Sequence, residues 1–396
     1  MNEVTVPGHV PAELVRDFDF FAIEPIDGDI HLGWRRLQEG PPLFYTPRNG
    51  GHWVATRAED IEAMFLDWEH FSSREATLPP EGKPVRLPLL EVDPPQHAAW
   101  RQLLVPLFSP KAIAVIAPTA RRLTIELIEQ FLPRGHCEFI GEFSQHMPIG
   151  VFLTMADLPF SDRHWLLERA ETNVRSGTAA EQHAAFTEIM GYVSDKLKER
   201  RGRPGTDLLS IIVNGKVDGR AVEHDEAVGL ATLVMFAGLD TVVSMLGHFM
   251  RHLALHPEHR RALREQPELQ KNAVEELLRR HGVTQMARIV AQDYVYKDVQ
   301  FRTGDMVLLP TLLYGLDEDK FENAAEVHFD RKIKLHLAFG NGPHRCIGSV
   351  LARTELQTLL EEWLPRIPEF WITPGDSVKV KAGKVNAISH LPLSWK

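Results

Sequence analysis

The chain has 396 residues, only two of them cysteine, with 44% hydrophobic and 25% charged residues and a formal charge of −10 at pH 7. That balance is ordinary for a soluble globular protein, and the negative excess argues against general nucleic-acid binding. Two cysteines cannot build a disulfide framework, so a reducing cytoplasm is the expected compartment.

The first segment, Met1 to Phe21, carries Glu3, Glu13, Arg16, Asp17 and Asp19. It has no apolar targeting core or anchor, so no membrane association is expected. Gly51–Thr56 reads as a strand and Ala58–Leu66 as a helix. The stretch Arg74–Pro95 contains Pro79, Pro80, Pro84, Pro88, Pro94 and Pro95, too many for regular structure. Long irregular loops in compact proteins are often functional.

That loop ends in Asp93-Pro94-Pro95-Gln96-His97, followed by Arg101. Proline suits a helix entry, and the spacing places His97 and Arg101 one turn apart on one face. Two such donors suit a carboxylate, held in bidentate fashion by the Arg. Thr119–Phe131, Ala184–Arg200 and Pro267–Arg280 have helical spacing, with a second irregular loop at Arg175–Ala180. Cys137 reads as a small buried hydrophobe.

Between Glu226 and Arg251 the only acidic or strongly basic residue is Asp240. Ala227–Met250 is apolar nearly all round and reads as a helix buried on every side. Its length could span a bilayer, but Thr232, Asp240, Thr241, Ser244 and His248 speak against that. Gly238 should weaken the helix at its middle, where Thr241 can turn its hydroxyl to a loosened carbonyl or a water. A buried Asp240 is costly without a specific partner or task. His248, His252 and His256 share one helix face, but no Glu stands inside the first pair as in hydrolytic zinc helices. They are expected to serve the helix C-terminus instead.

Glu276 and Arg279 are spaced as an i,i+3 pair, which on a surface would contribute only a few tenths of a kcal/mol. Tyr294–Phe301 and Asp305–Leu309 read as strands. The most informative segment is Phe339-Gly-Asn-Gly-Pro-His344-Arg-Cys346-Ile-Gly348, which directly precedes a helical pattern, Ser349–Trp363. A thiol there gains from free backbone N–H groups and the positive end of a helix, both of which favour the thiolate. Gly340, Gly342 and Gly348 let the backbone approach a flat ligand closely. The expected fold is mainly α with small β-sheets, one domain over residues 1–396.

The spacing Phe-x-x-Gly-x-His-x-Cys-x-Gly resembles that of the haem-thiolate monooxygenases, the cytochrome P-450 family. The resemblance extends over nearly the whole chain. Pro11–Val15, Gly50–Arg57, His70–Ser73, Gly238–Val243 and Leu391–Trp395 are similar to the soluble, camphor-hydroxylating bacterial members. It implies haem b (iron protoporphyrin IX) lying between the long apolar helix and the Cys-loop helix. Cys346 would be the axial iron ligand, with Phe339 packed beside its sulfur and Gly348 closing the loop. His97, Arg101, Arg288 and His344 would hold the propionates, although Arg is commoner at the place of His344. Thr241 would supply a hydrogen bond above the haem, and Asp240 would pass protons inward. Glu276 and Arg279 would be buried and lock the proximal loop, with His328 standing where a third basic residue is usual.

The same resemblance implies O2 and a small hydrophobic substrate, with electrons from a [2Fe–2S] ferredoxin served by an NADH-dependent flavin reductase. That ferredoxin would dock near Arg101, Arg345 and Arg353. The expected pocket walls are Thr77, Leu87, Val174, Leu233, Phe236, Thr284 and Val385. Camphor-hydroxylating relatives grip the substrate ketone with a tyrosine from the loop before Asp-Pro-Pro. None of the five tyrosines here lies in Arg74–Val92. A terpenoid or norisoprenoid of ionone type is therefore expected in place of camphor. The alternatives are a peroxide-driven peroxygenase, which normally replaces the acid–alcohol pair, and a haem sensor, which would not need Asp240-Thr241.

Overall fold

The computed structural model describes residues 4–80, 86–174 and 179–396. Among them the helices are α1 (Ile30–Arg35), α2 (Ala58–Leu66), α3 (Gln96–Leu104), α4 (Pro110–Phe131), α5 (His146–Met155), α6 (Arg163–Val174) and α7 (Ala179–Arg200). There follow α8 (Leu208–Asn214), α9 (His224–Leu255), α10 (Pro257–Glu265), α11 (Gln270–Arg280), α12 (Thr311–Gly315) and α13 (Ser349–Arg366). The sheets are small. The largest runs in the order Leu43–Thr46, His52–Ala55, Met306–Pro310, Gln285–Val290, Phe71–Ser72. Only the pairing of Met306–Pro310 with His52–Ala55 is parallel.

Among the described residues the hydrophobic core falls into three clusters, one of them around Trp100, Ile189, Leu208 and Leu230. A second lies around the large sheet and buries Trp34, Trp53, Phe71 and Phe301. The third packs α9 and α13 around Phe131, Phe139, Phe143, Phe249 and Trp363. Helix α9 is long and apolar enough to cross a membrane, yet more than half of its most apolar stretch is buried inside the protein. It starts with a capping box, Glu223 with Glu226, and ends at His256 before Pro257. At about 1.5 Å per residue it spans the whole core.

The expected fold class is borne out, and the differences are local. Helix α4 begins at Pro110, not Thr119, because Ser109 caps it and Pro118 is accommodated inside it. The helix expected over Pro267–Arg280 opens with a 3-10 turn, Pro267–Leu269. Tyr294–Phe301 is a hairpin, not one strand. Lys297, at φ 51°, turns the chain so that Tyr294 pairs with Phe301. The described part of Arg74–Pro95 holds no helix or strand.

Candidate functional site

Helix α9 carries its own marker of a cavity. The stretches Ala227–Thr232 and Val242–Met250 on either side are buried, while Phe236, Gly238, Asp240 and Thr241 are half-buried and Ala237 is exposed. The helix runs unbroken through Gly238, contrary to the weakening expected there. The expected hydroxyl contact is present, since Thr241 Oγ1 donates to the Ala237 carbonyl at 2.7 Å. Ser244 Oγ likewise donates to the Asp240 carbonyl at 2.8 Å.

The Cys loop forms another wall. Gly340 and Gly342 both take φ of +66°, and a Cβ on Gly342 would come 2.5 Å from the Phe65 carbonyl oxygen, so the loop can seat against α2 only with glycine there. The Cys346 amide donates to the Phe339 carbonyl at 2.9 Å. Cys346 is exposed, but only toward a cleft that protein surrounds. Burial raises its pKa, opposed by the Gly348 amide and then by the charges of Arg101, Arg353 and Arg345. Gly348 acts through that N–H, since a Cβ there would meet Sγ at an ordinary 3.8 Å.

Four basic side chains expected to act together are found in electrostatic contact. His97 and His344 lie with ring centroids 4.1 Å apart. His344 Nδ1 donates to the Leu89 carbonyl at 3.1 Å. The Nε2 atoms of both rings are buried without a partner. Burial, then Arg101, lowers His97 to about 4. Burial, then Arg288 and His97, lowers His344 to about 3. Arg288 is buried, donates to the Ala287 carbonyl at 2.7 Å, and lies 5.0 Å over the Phe65 ring. Burial brings it down to about 10, with Asp93 opposing. Asp93 itself serves Ser72 Oγ at 2.5 Å and the Ser73 amide at 2.8 Å. Buried polar atoms of this kind need partners. Two carboxylates of a flat ligand fit the cluster by charge and by its orphaned nitrogens.

Glu276 and Arg279 are fully buried, paired at 2.7 and 2.8 Å. Arg279 also donates to the carbonyls of Gly315, Ala324 and Glu326. The third basic partner is not the side chain of His328, which is exposed on Glu326. His328 gives only its amide to Glu276 at 2.9 Å, and Arg331 Nε takes the remaining place at 3.1 Å. The expectation placed the base three residues too early. Arg353 is also reassigned, because both its Nε and Nη2 are committed to Glu275 at 2.5 and 2.9 Å.

Of the expected pocket walls, Thr284 and Val385 meet in a β-bridge. Thr284 Oγ1 lies 3.2 Å from Thr311 Oγ1. Thr77 Oγ1 donates to Glu75 at 3.3 Å, and the adjacent Ala76 carbonyl accepts from Ala287. Phe236 stacks on Phe186 of α7 at 5.7 Å. Leu87 and Leu233 are half-buried, and the side chain of Val174 lies outside the described residues. A cleft of about 520 Å³ lined by Arg86, Val92, Trp100, Arg220 and Glu226 contains none of these walls. It belongs to the outer surface. A second cavity, about 270 Å³, is lined by Arg101, Val105, Phe108, Arg345 and Cys346.

Sequence reasoning missed Glu355, which is buried in α13 with its carboxyl pushed up to about 8 by burial. The signal was there: its i−4 and i+4 neighbours are Leu351 and Leu359, so it occupies a core position.

A thiol just before a helix, an acid–alcohol pair at the less buried middle of α9 and a cluster of two arginines with two partnerless imidazole nitrogens are the features of a haem-thiolate protein. The family model described as Cytochrome P450 matches residues 142–381. The chain is 34% identical to the "Probable cytochrome P450 127A1" of Sinorhizobium fredii, over 98% of this chain and 97% of that one. It is 32% identical to the "Mycinamicin IV hydroxylase/epoxidase" of Micromonospora griseorubida, over 84% and 86%. The crystal structure of CYP101J2 is similar with a TM-score of 0.92 and 36% identity, covering 99% of this chain and 100% of that one. That of CYP101C1 gives 0.91 and 36% over the same shares. The chain belongs to the cytochrome P450 family. It is a monooxygenase whose cofactor is haem b and which requires O2, a small-molecule substrate and an electron-transfer partner.

Proposed function

We propose that this cytochrome P450 hydroxylates a small terpenoid or norisoprenoid, of which ionones are the model. Its electrons come from a [2Fe–2S] ferredoxin reduced by an NADH-dependent flavin reductase, and it works as one soluble cytoplasmic domain. The observation that supports the substrate class is the lack of any tyrosine in Arg74–Val92, in keeping with the mostly apolar residues expected to line the pocket. Losing the one directional contact to a ketone would weaken camphor binding by roughly 1 kcal/mol or more. The "Pentalenic acid synthase" of Streptomyces avermitilis, 28% identical over 91% of this chain, is in keeping with a terpenoid.

In this reading Cys346 would bind the haem iron, its thiolate favoured by the Gly348 amide and by Arg101, Arg353 and Arg345. Arg101 and Arg288 hold the propionates, joined by His97 and by His344, whose Nε2 would have to be protonated beside the carboxylate because its Nδ1 hydrogen is on the Leu89 carbonyl. The bound haem supplies oxygen activation. Thr241 turns its hydroxyl from the Ala237 carbonyl into the cleft, and Asp240, on the adjacent position of the same turn, delivers protons from the solvent side. Phe236, stacked on Phe186, limits substrate size. The surface around Arg101, Arg345 and the 45%-exposed Val105 offers the ferredoxin positive charge with an apolar centre.

Titration of the ferric protein with ionones and with camphor tests the substrate reading. Ionones should move the ferric absorption spectrum toward the high-spin form. A full shift with camphor and none with ionones would overturn it. Product formation with ferredoxin and reductase, but not with peroxide alone, tests the electron route.

A further inference from the structure

Six of the nineteen histidines gather in one row far along α9 from the acid–alcohol pair: His31, His248, His252, His256, His259 and His281. The helix-face trio His248, His252, His256 is not the group that converges. Folding instead brings His31 of α1 and His281, just after α11, against His248. Ring centroids are 4.7 Å apart for His31–His248 and 5.1 Å for His31–His281. One ring nitrogen of each lies within 4.8 Å of the other two, and all three residues are buried.

We propose that His31, His248 and His281 form a binding site for one divalent transition-metal ion, with zinc as its natural type. Three separate elements supply the ligands, which a chance run of histidines on one helix would not do. The outer partners are of the kind that orient metal-binding imidazoles. Asp29 Oδ1 accepts from His31 Nδ1 at 3.2 Å, which directs Nε2 to the metal. The Asn386 carbonyl can only accept, so His248 Nε2, at 3.2 Å, carries the hydrogen and Nδ1 keeps a lone pair. His281 Nε2 faces His252 Nδ1 at 3.4 Å, while His281 Nδ1 is buried with no partner at all. Burial holds His248 and His281 well below their ordinary pKa, so both present neutral imidazoles.

Three imidazoles suit zinc, copper or nickel, and leave a fourth position for water or a small anion. Asp29 offsets part of the ion's charge, although it also pairs with Arg280 at 2.6 Å. His31 Nε2 now donates to the Gly282 carbonyl at 2.9 Å. Metal binding would take Nε2 away from that carbonyl. A second trio, His256, Glu258 and His259, is partly exposed and is the competing explanation for any metal found.

The test uses the full, untagged, haem-loaded chain, stripped with chelator, equilibrated with zinc chloride and desalted. Expected are one zinc per haem iron, a raised unfolding temperature, and an X-ray absorption spectrum with three imidazole nitrogens at about 2.0–2.1 Å. His281→Gln and His31→Gln should weaken binding at least tenfold, while His256→Gln/His259→Gln leaves it unchanged. The site is refuted if the wild-type chain retains no zinc, if its spectrum shows fewer than three imidazoles, or if only the His256/His259 variant loses the metal. The wild-type measurements decide the matter even if His281→Gln fails to fold.

Discussion

Arg353 lies over the face of Phe339, its guanidinium carbon 4.4 Å from the ring centroid, while its nitrogens grip Glu275. Phe339 opens the Cys loop and its carbonyl receives the Cys346 amide, so α11, α13 and the loop are locked through one guanidinium. Burial would raise the Glu275 carboxyl, but hydrogen bonds from His336 and Arg353 outweigh it and hold the group at about 2. Because Arg353 is partly exposed, Arg353→Ala should cost only about 1–2 kcal/mol. It should lower the fraction of reduced, CO-treated protein showing the red-shifted Soret band of thiolate ligation. Arg353→Lys keeps the charge but not the fork, and should fall between the two.

The buried pair Glu276–Arg279 predicts a steeper loss. Removing either partner strands a buried charge, which costs about 3–5 kcal/mol, so Arg279→Ala and Glu276→Ala should yield little folded holoprotein. Arg331→Ala removes one charge-assisted hydrogen bond of several and should cost about 1.5–3 kcal/mol. His328→Ala leaves its amide on Glu276 and should stay within about 0.5 kcal/mol of the parent. Denaturant midpoints of the four variants rank them, and equal effects of His328→Ala and Arg331→Ala would contradict the assignment.

Much of this architecture was legible because its signals are local. The apolar run of α9, the Pro-rich entry to α3 and the Phe339–Gly348 decapeptide each announce themselves within a few residues. What escaped depends on chain segments distant in sequence. Arg331 reaches Glu276 only because the loop after α12 folds back under α11. Arg353 reads as a free surface cation until α11 brings Glu275 against it. His31 and His281 stand 250 positions apart and meet only through the packing of α1 on the α9 end. The turn at Lys297 was missed because no glycine marks it; a lysine takes the positive φ.

Asp240 offers a test of the catalytic reading that leaves the fold alone. Asp240→Asn keeps the shape and the helix but cannot release a proton. Product formation should fall by about 10²–10⁴-fold. The ferric and CO spectra should be unchanged, because in that reading the residue does not ligate the haem. Loss of the haem spectrum in this variant would show a structural role instead.

Phe236 is the residue expected to set substrate size. It stacks on Phe186 at 5.7 Å and so joins α9 to α7. Phe236→Ala removes that contact, worth about 0.5–1.5 kcal/mol beyond its buried area. Small terpenoids should then bind about tenfold more weakly, while bulkier ones gain entry. Spin-state titration with a size series of terpenoids reads both effects, and unchanged selectivity would remove Phe236 from the pocket.

Glu355 gives the pH prediction. Burial alone lifts its carboxyl from 4.5 to about 8, so the folded protein holds a proton there that the unfolded chain has released. Between those two values the native state binds more protons than the unfolded state, and stability must therefore fall as pH rises. Below 4.5 both states are protonated and no cost arises; above about 8 the cost is fully developed, on the order of a few kcal/mol. Glu355→Gln has no proton to lose, so its unfolding free energy should be flatter across the same window and exceed that of the parent at the alkaline end. The comparison needs urea midpoints for both proteins at several pH values on the haem-loaded chain. Parallel profiles would mean that Glu355 keeps enough solvent or polar contact to ionise normally.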